Sequence, residues 1–121
     1  MSKILVIAPH PDDETLGCGG SLYRHQNEGD ELNWLICTDI SKEFGWSKSK
    51  VESRKIELKK VAASYQFKNV HNLRIPTTRV ETVPISDLTA ALGEFVKKVT
   101  PKIIYIPFIN WFLMFGCLMV I

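Results

Sequence analysis

A short apolar run near the start of the chain leads directly into a turn of histidine and carboxylates. Residues 4–7 read Ile-Leu-Val-Ile, and residues 9–14 read Pro-His-Pro-Asp-Asp-Glu. A continuous apolar run predicts a buried parallel strand, and open α/β sheets place their functional groups just beyond the carboxyl ends of such strands. Pro9 and Pro11 lack a backbone N–H and restrict the residue before them, which makes the turn stiff. The sequence therefore predicts polar side chains in fixed directions at the carboxyl edge of a sheet.

Strand and helix patterns alternate along the rest of the chain. The predicted elements are strands at 4–8, 32–38, 70–75 and 103–106 and helices at 15–28, at 50–65 and between Ser86 and Pro101. Gly29 is placed as a left-handed helix stop, Ser86 as an N-cap and Pro101 as a helix stop. Parallel strands joined by right-handed helical crossovers predict a Rossmann-like three-layer α/β/α fold with a mostly parallel sheet.

The turn carries the residue types that metal-assisted hydrolysis needs. Imidazole and carboxylate groups are ordinary zinc ligands, and a catalytic zinc typically keeps three protein ligands and a water whose pKa falls to about 7. Among His10, Asp12, Asp13 and Glu14, one carboxylate can bind metal while its neighbour takes the proton of that water. An acidic turn that caps the next helix is the alternative interpretation.

Three glycines, Gly17, Gly19 and Gly20, lie in the same strand-to-helix connection. Their position suggests a dinucleotide-binding loop, but the spacing differs from that fingerprint and acidic groups occupy the place of the phosphate. Small residues that let the helix approach the sheet are the favoured interpretation.

The turn and the glycines together resemble the PIG-L or LmbE-like N-deacetylases, which are zinc hydrolases that remove acetyl groups from N-acetylglucosamine-type sugars. The resemblance runs from about residue 3 to residue 110. Further matches are Thr38-Asp39 after the second strand and the helix pattern Arg-x-x-Glu-x-x-x-x-Ala at Arg54, Glu57 and Ala62.

The resemblance implies a role for each of four residues. His10 and Asp13 would bind zinc or another divalent metal, Asp12 would be the general base, and Arg54 would contact an N-acetylated sugar or glycoconjugate. Without the family resemblance, a solvated helix residue that pairs with Glu57 is an equally good interpretation of Arg54.

The family's third metal ligand is a histidine after the fourth strand, and no histidine follows His71 here. We therefore expect a weak or inactive deacetylase, unless a partner chain supplies the ligand, with the C-terminal part of the family fold missing. A non-catalytic sugar- or metal-binding α/β domain is the alternative.

The last part of the chain departs from the family. We expect residues 1–110 to be the N-terminal portion of a deacetylase domain and residues 111–121 to be an apolar tail without a family counterpart. Residues 103–121 contain no charge, a length close to a membrane span, although Pro107 and Asn110 interrupt it. A membrane anchor, a natural domain edge and a gene disrupted after Asn110 remain open, and we favour the disruption.

Composition gives weaker constraints. Fifteen basic and thirteen acidic residues leave a net charge of +2, which does not indicate a nucleic-acid partner. Three cysteines without zinc-ribbon spacing and a start without a signal peptide favour a reduced cytoplasmic protein. His25, on the exposed face of the first helix, and His71, in a strand, are expected to be structural, and Trp46 either flanks a sugar or anchors the core.

Overall fold

The computed structural model describes residues 1–10, 13–77, 82–107 and 117–120. Strands and helices alternate through these residues, with a short 3-10 helix after the second strand. The elements are β1 (Lys3–Ala8), α1 (Asp13–Asn27), β2 (Glu31–Asp39), the 3-10 helix (Lys42–Phe44), α2 (Lys48–Tyr65), β3 (Asn69–Pro76), α3 (Ile85–Val99), β4 (Ile103–Pro107) and β5 (Cys117–Val120).

The strands form one sheet in the order β3-β2-β1-β4-β5. β1 pairs in parallel with β2 and with β4, and β2 pairs in parallel with β3, while β5 runs antiparallel to β4. The prediction of an α/β fold with a mostly parallel sheet is confirmed. The carboxyl ends of β1, β2 and β3 therefore meet at one edge, where open α/β sheets bind their ligands.

The predicted apolar tail contributes an unpredicted strand to this sheet, since residues 117–120 form β5. Residues 108–116, which include Asn110, lie outside the described part of the chain. Among the described residues, no helix is long and apolar enough to cross a membrane.

Hydrophobic cores cover both faces of the sheet, because successive strand residues point to opposite sides. On one face Ile4, Val6 and Trp34 pack with residues of α1 and α2. On the other face Leu5 and Leu35 pack against Phe95 and Val99 of α3. Helices on both faces of a buried sheet give the predicted three-layer arrangement.

Most helix ends follow the predicted signals. Gly29 has φ +82°, as a left-handed stop requires, and α3 ends at Val99, two residues before Pro101. The N-cap prediction at Ser86 was wrong, because α3 begins at Ile85 with Pro84 as its N-cap. The Pro84 carbonyl accepts hydrogen bonds from the N–H groups of Asp87 and Leu88, at 3.0 and 3.1 Å.

Helix α1 is interrupted at Cys18, whose φ of −145° and ψ of 24° are not helical. Gly20 is exposed, and a Cβ atom there would have no heavy atom within 4 Å apart from its chain neighbours and the backbone of its own helix. Close approach of the helix to the sheet therefore does not explain Gly20.

Candidate active site

Two hydrogen bonds fix the turn that follows β1 to the neighbouring strand. The Pro9 carbonyl accepts from the Thr38 hydroxyl at 2.7 Å and from the Thr38 N–H at 3.0 Å. Thr38 is fully buried near the end of β2. A buried residue of a central strand thus sets the position of the backbone directly before His10.

A similar connection joins the ends of β2 and β3. The Asp39 carbonyl accepts from the Thr77 N–H at 3.2 Å and from the Thr77 hydroxyl at 3.1 Å. The Asp39 carboxylate accepts from the Ile40 N–H at 2.8 Å. The carboxyl ends of three strands are therefore tied together at one edge.

His10 and Asp13, the two predicted metal ligands, lie at this edge. His10 lies in the bend directly after β1 and is exposed. Asp13 is the first residue of α1, three positions further on. Asp12, the predicted general base, lies outside the described residues, so its role stays a prediction. The ligand roles of His10 and Asp13 also stay predictions.

The donor chemistry of the turn fits zinc or another divalent metal. His10 presents an imidazole from an exposed bend, and Asp13 brings a carboxylate at the start of a helix. Nitrogen and carboxylate oxygen donors are those that catalytic zinc sites use. The residue types of His10 and Asp13 therefore fit the predicted ion, and their role as its ligands stays a prediction.

Arg54 lies on α2 beside a cavity of about 270 Å3 that also contacts Ile40 and Trp46. Its side chain is 31% exposed, and its Nε lies 3.7 Å from a carboxylate oxygen of Glu57. The Lys50 Nζ lies 5.7 Å from the centroid of the Trp46 ring. Trp46 is 37% exposed, so it is not a core anchor. Arginine and tryptophan thus share one cavity, although the sugar contact of Arg54 stays a prediction.

A second cavity, of about 250 Å3, lies at the ends of β2 and β3. Asp39, Lys55 and Arg74 are among its lining residues, and Ile40 contacts both cavities. Sequence reasoning missed Arg74, because in the sequence it is simply a charged residue that weakens a strand pattern.

His25 belongs to a separate cluster at the opposite edge of the sheet. Its Nδ1 lies 2.8 Å from an Asp30 carboxylate oxygen and its Nε2 lies 2.9 Å from the Tyr105 hydroxyl. The expectation of an exposed His25 was wrong, since its side chain is only 14% exposed. Together with Glu28, His25 and Asp30 place possible metal-ligand atoms within 4.8 Å of one another.

Hydrogen bonds already occupy this cluster. Asp30 also accepts from the Ser2 N–H at 2.8 Å, and Glu28 pairs with Arg24 at 3.2 Å. The bond from Ser2, followed by that from His25, lowers the pKa of Asp30. Asp30 directly precedes β2, so the cluster lies at the amino ends of the strands, away from His10. Its contacts support a structural role that joins α1, β4 and the residue directly before β1.

His71 lies in β3, as predicted, and its ring stacks on Phe95 with centroids 5.4 Å apart. Because Phe95 belongs to the core beneath α3, His71 contacts the packed layer. This contact accords with a structural histidine.

The fold and the strand-end turn are those of an α/β protein whose ligand edge carries metal-type donors. Residues 5–110 match the model of the PIG-L family, described as GlcNAc-PI de-N-acetylase. The chain belongs to this family, which is metal-dependent in general.

Known relatives agree with this membership. The chain is 25% identical over 113 residues to diacetylchitobiose deacetylase of Thermococcus kodakarensis, covering 88% of this chain and 41% of that protein. A 36-residue stretch is 42% identical to the 1D-myo-inositol 2-acetamido-2-deoxy-alpha-D-glucopyranoside deacetylase of Rhodococcus erythropolis, covering 30% of this chain and 12% of that one.

A solved structure shows the same fold. A conserved protein of Thermus thermophilus is 32% identical and superposes with a TM-score of 0.73, over 89% of this chain and 47% of that one. The chain spans less than half the length of each of these proteins.

Proposed function

We propose that this chain carries the metal-binding part of a deacetylase that acts on an N-acetylated amino sugar or glycoconjugate. One observation carries the proposal. The chain belongs to the PIG-L family, and the Pro9 carbonyl, directly before His10, accepts a hydrogen bond from the Thr38 hydroxyl at the carboxyl edge of the sheet. The acetamido group of a sugar is the substrate class that the named relatives suggest.

In this proposal each residue of the turn has a distinct task. His10 and Asp13 hold a zinc ion, which when bound supplies a Lewis acid for the amide carbonyl and acidifies water. Asp12 takes the proton from the attacking water and passes it to the departing nitrogen. The oxygen of water bonds to the acetyl carbon as the carbon–nitrogen bond breaks, which releases acetate and a free amine.

Arg54 and Trp46 orient the sugar in the cavity that they share. An aromatic face packs on the apolar face of a sugar ring, and a guanidinium donates several hydrogen bonds in a fixed plane. Ile40, which directly follows β2, lines the same cavity, so both groups lie beside the end of the strand that carries Thr38.

The proposed ligand set has two members, His10 and Asp13, whereas an ordinary catalytic zinc has three protein ligands, and no histidine follows His71 in these 121 residues. We therefore propose a metal affinity well below that of a three-ligand site, and weak hydrolysis. The same observation favours a second candidate, a sugar- or metal-binding domain that does not hydrolyse its ligand.

Acetate release from methyl N-acetylglucosaminide, measured with and without added zinc, tests the proposal. We expect slow, zinc-stimulated release that Asp12→Asn lowers by roughly 100-fold or more, while the far-UV spectrum is unchanged. Release that is indifferent to Asp12→Asn contradicts the assignment of the general base. Ligand-dependent protection against unfolding without any acetate supports the binding domain instead.

Arg54→Ala tests sugar contact, and Arg24→Ala is its matched control. Both arginines pair with a glutamate three or four residues further along the chain, at 3.7 and 3.2 Å, but Arg24 lies at the opposite edge of the sheet. We expect Arg54→Ala to weaken sugar binding about tenfold and Arg24→Ala to leave it unchanged. Equal effects of the two substitutions would show that Arg54 acts only through helix stability.

A further inference from the structure

The cavity at the ends of β2 and β3 has a lining that suits a charged ligand with an apolar side. Ile40 is buried, Val51 is half-buried, and the exposed side chains of Lys55 and Arg74 contact the same space. The two cations come from different elements, α2 and β3, so their proximity is a product of the fold.

Arg74 has a backbone conformation that its residue type disfavours. Its φ is +56°, in the left-handed region where a side chain beyond glycine is strained. Gln66 and Thr100 also have positive φ, but they end helices, where this conformation is common. Arg74 instead lies inside strand β3.

A local irregularity in β3 accommodates this conformation. Ile36 pairs with Asn72, but Thr38 pairs with Ile75, so β3 has one extra residue between these pairs. The Arg74 N–H is bound by the Asn72 side-chain oxygen at 2.8 Å. Bulges of this kind redirect a side chain out of the regular strand alternation, and strained residues of this kind cluster at ligand sites.

Positive charge concentrates in the segment that carries Lys55, while the cavity lining itself holds two cations, Lys55 and Arg74, and two carboxylates, Asp39 and Glu43. Residues 42–65 contain seven basic and three acidic residues, whereas the whole chain has a net charge of only +2. Within the described residues Arg74 makes no ion pair. The Lys55 Nζ lies 3.8 Å from a carboxylate oxygen of Glu52, and the side chains of Lys55 and Glu52 are both largely exposed. An exposed pair of this length contributes little, so both cations are available to a ligand.

Three further polar side chains line the cavity, those of Asp39, Ser41 and Glu43. The Ser41 hydroxyl is buried and has no hydrogen-bond partner in the described part of the chain. The Asp39 carboxylate already accepts the Ile40 N–H, and Glu43 is exposed. The Asp39 and Glu43 carboxylates repel an anionic ligand and attract a cationic one.

We propose that Arg74 and Lys55 form a subsite for a carboxylate or phosphate group carried by the substituent on the N-acetylated sugar. The assignment of the sugar rests on the proposed function, since the subsite lies beside the cavity of Arg54 and shares Ile40 with it. Arg74 is then a specificity-determining residue. A guanidinium and an ammonium group are the side chains that bind such anions most strongly.

Equilibrium titrations with four glycosides of N-acetylglucosamine test this subsite. The probes are the neutral methyl glycoside, the carboxymethyl glycoside, the 1-phosphate and the cationic 2-aminoethyl glycoside. We expect the carboxymethyl glycoside, the 1-phosphate or both to bind roughly tenfold or more tightly than the methyl glycoside. The carboxymethyl and phosphate arms separate the two possible anions.

Substitutions at Arg74 and Lys55 test whether these two residues cause the preference for an anionic glycoside. Arg74→Gly and Lys55→Gln should each remove most of the anion preference and leave binding of the methyl glycoside unchanged. Lys60→Gln is the matched control, because Lys60 is an exposed lysine of α2 that does not line the cavity. Glycine also suits the φ of +56°, so the thermal midpoint of Arg74→Gly should not fall. A loss of binding therefore cannot be attributed to unfolding.

Several results would overturn the subsite. These are equal binding of neutral and anionic probes, tighter binding of the 2-aminoethyl glycoside, an anion preference that survives Arg74→Gly, and no binding of any probe.

Binding of the probes and release of acetate are measured separately. An anion preference without acetate release retains the subsite and rejects hydrolysis, whereas acetate release without a preference retains hydrolysis and rejects the subsite.

Discussion

Thr38→Val tests whether the buried hydroxyl at the end of β2 controls the proposed metal turn. Valine has nearly the same shape and keeps the N–H that binds the Pro9 carbonyl at 3.0 Å, while the 2.7 Å bond from the hydroxyl is lost. Because Pro9 keeps one donor, its carbonyl is not left unsatisfied. The expected loss is therefore that of one neutral hydrogen bond, about 1 kcal/mol.

That loss is measurable by urea unfolding and calorimetry. With a slope of about 2 kcal/mol per molar urea, the midpoint falls by about 0.5 M, and the melting temperature falls by roughly 4 °C. The turn before His10 also loses a constraint, so zinc affinity, measured by competition with a chromophoric chelator, should weaken roughly tenfold.

Two controls separate the hydroxyl from other effects. Thr38→Ser keeps the hydroxyl and should retain zinc affinity, and Thr89→Val, on the exposed face of α3, should change neither property. If Thr38→Val lowers stability but binds zinc as tightly as the unsubstituted chain, Thr38 supports the sheet and not the ligand turn, and the reasoning is refuted.

Two further substitutions test the packing and the opposite edge of the sheet. Leu22→Ala removes a fully buried side chain of α1 and should lower the free energy of unfolding by about 3 kcal/mol in urea titrations. Asp30 has a folded-state pKa lowered by hydrogen bonds from Ser2 and His25, so its stabilisation is present above the unfolded pKa of about 3.9 and is lost as the pH falls through the folded value. Asp30→Asn should therefore have a lower melting temperature at pH 7 and lose less stability than the unsubstituted chain below about pH 4. Melting temperatures measured between these pH values would contradict this role if both chains showed the same pH dependence.

Local sequence patterns predicted what depends on nearby residues. The apolar runs and the helical spacing gave the parallel strands of the described sheet and its helices, because burial on both faces of a sheet leaves a direct record in composition. The N-cap of α3 was misplaced because Ser86 and Pro84 both favour a helix start, and only the bonds to the Pro84 carbonyl decide between them.

Contacts between distant residues could not be predicted in the same way. His25 was expected on an exposed face, yet it meets Tyr105, 80 residues further along the chain. Arg74 gave no signal, because its cavity requires β3, α2 and the end of β2 together. The family resemblance led to the predicted roles of His10 and Arg54, which stay predictions, but it gave no reason to consider Arg74.

The two cavities offer a final test of how one ligand would lie across them. Arg54 and Lys55 are consecutive residues of α2, so their side chains point about 100° apart, and they line different cavities on either side of Ile40. If one anionic glycoside occupies both, Arg54 binds the sugar and Lys55 the anion, and the two contacts are independent. The free-energy losses of Arg54→Ala and Lys55→Gln should then add to within about 0.5 kcal/mol in the double variant. A coupling well above this value, measured by titration with the carboxymethyl glycoside, would mean that both cations hold the same group and that the ligand lies in one cavity.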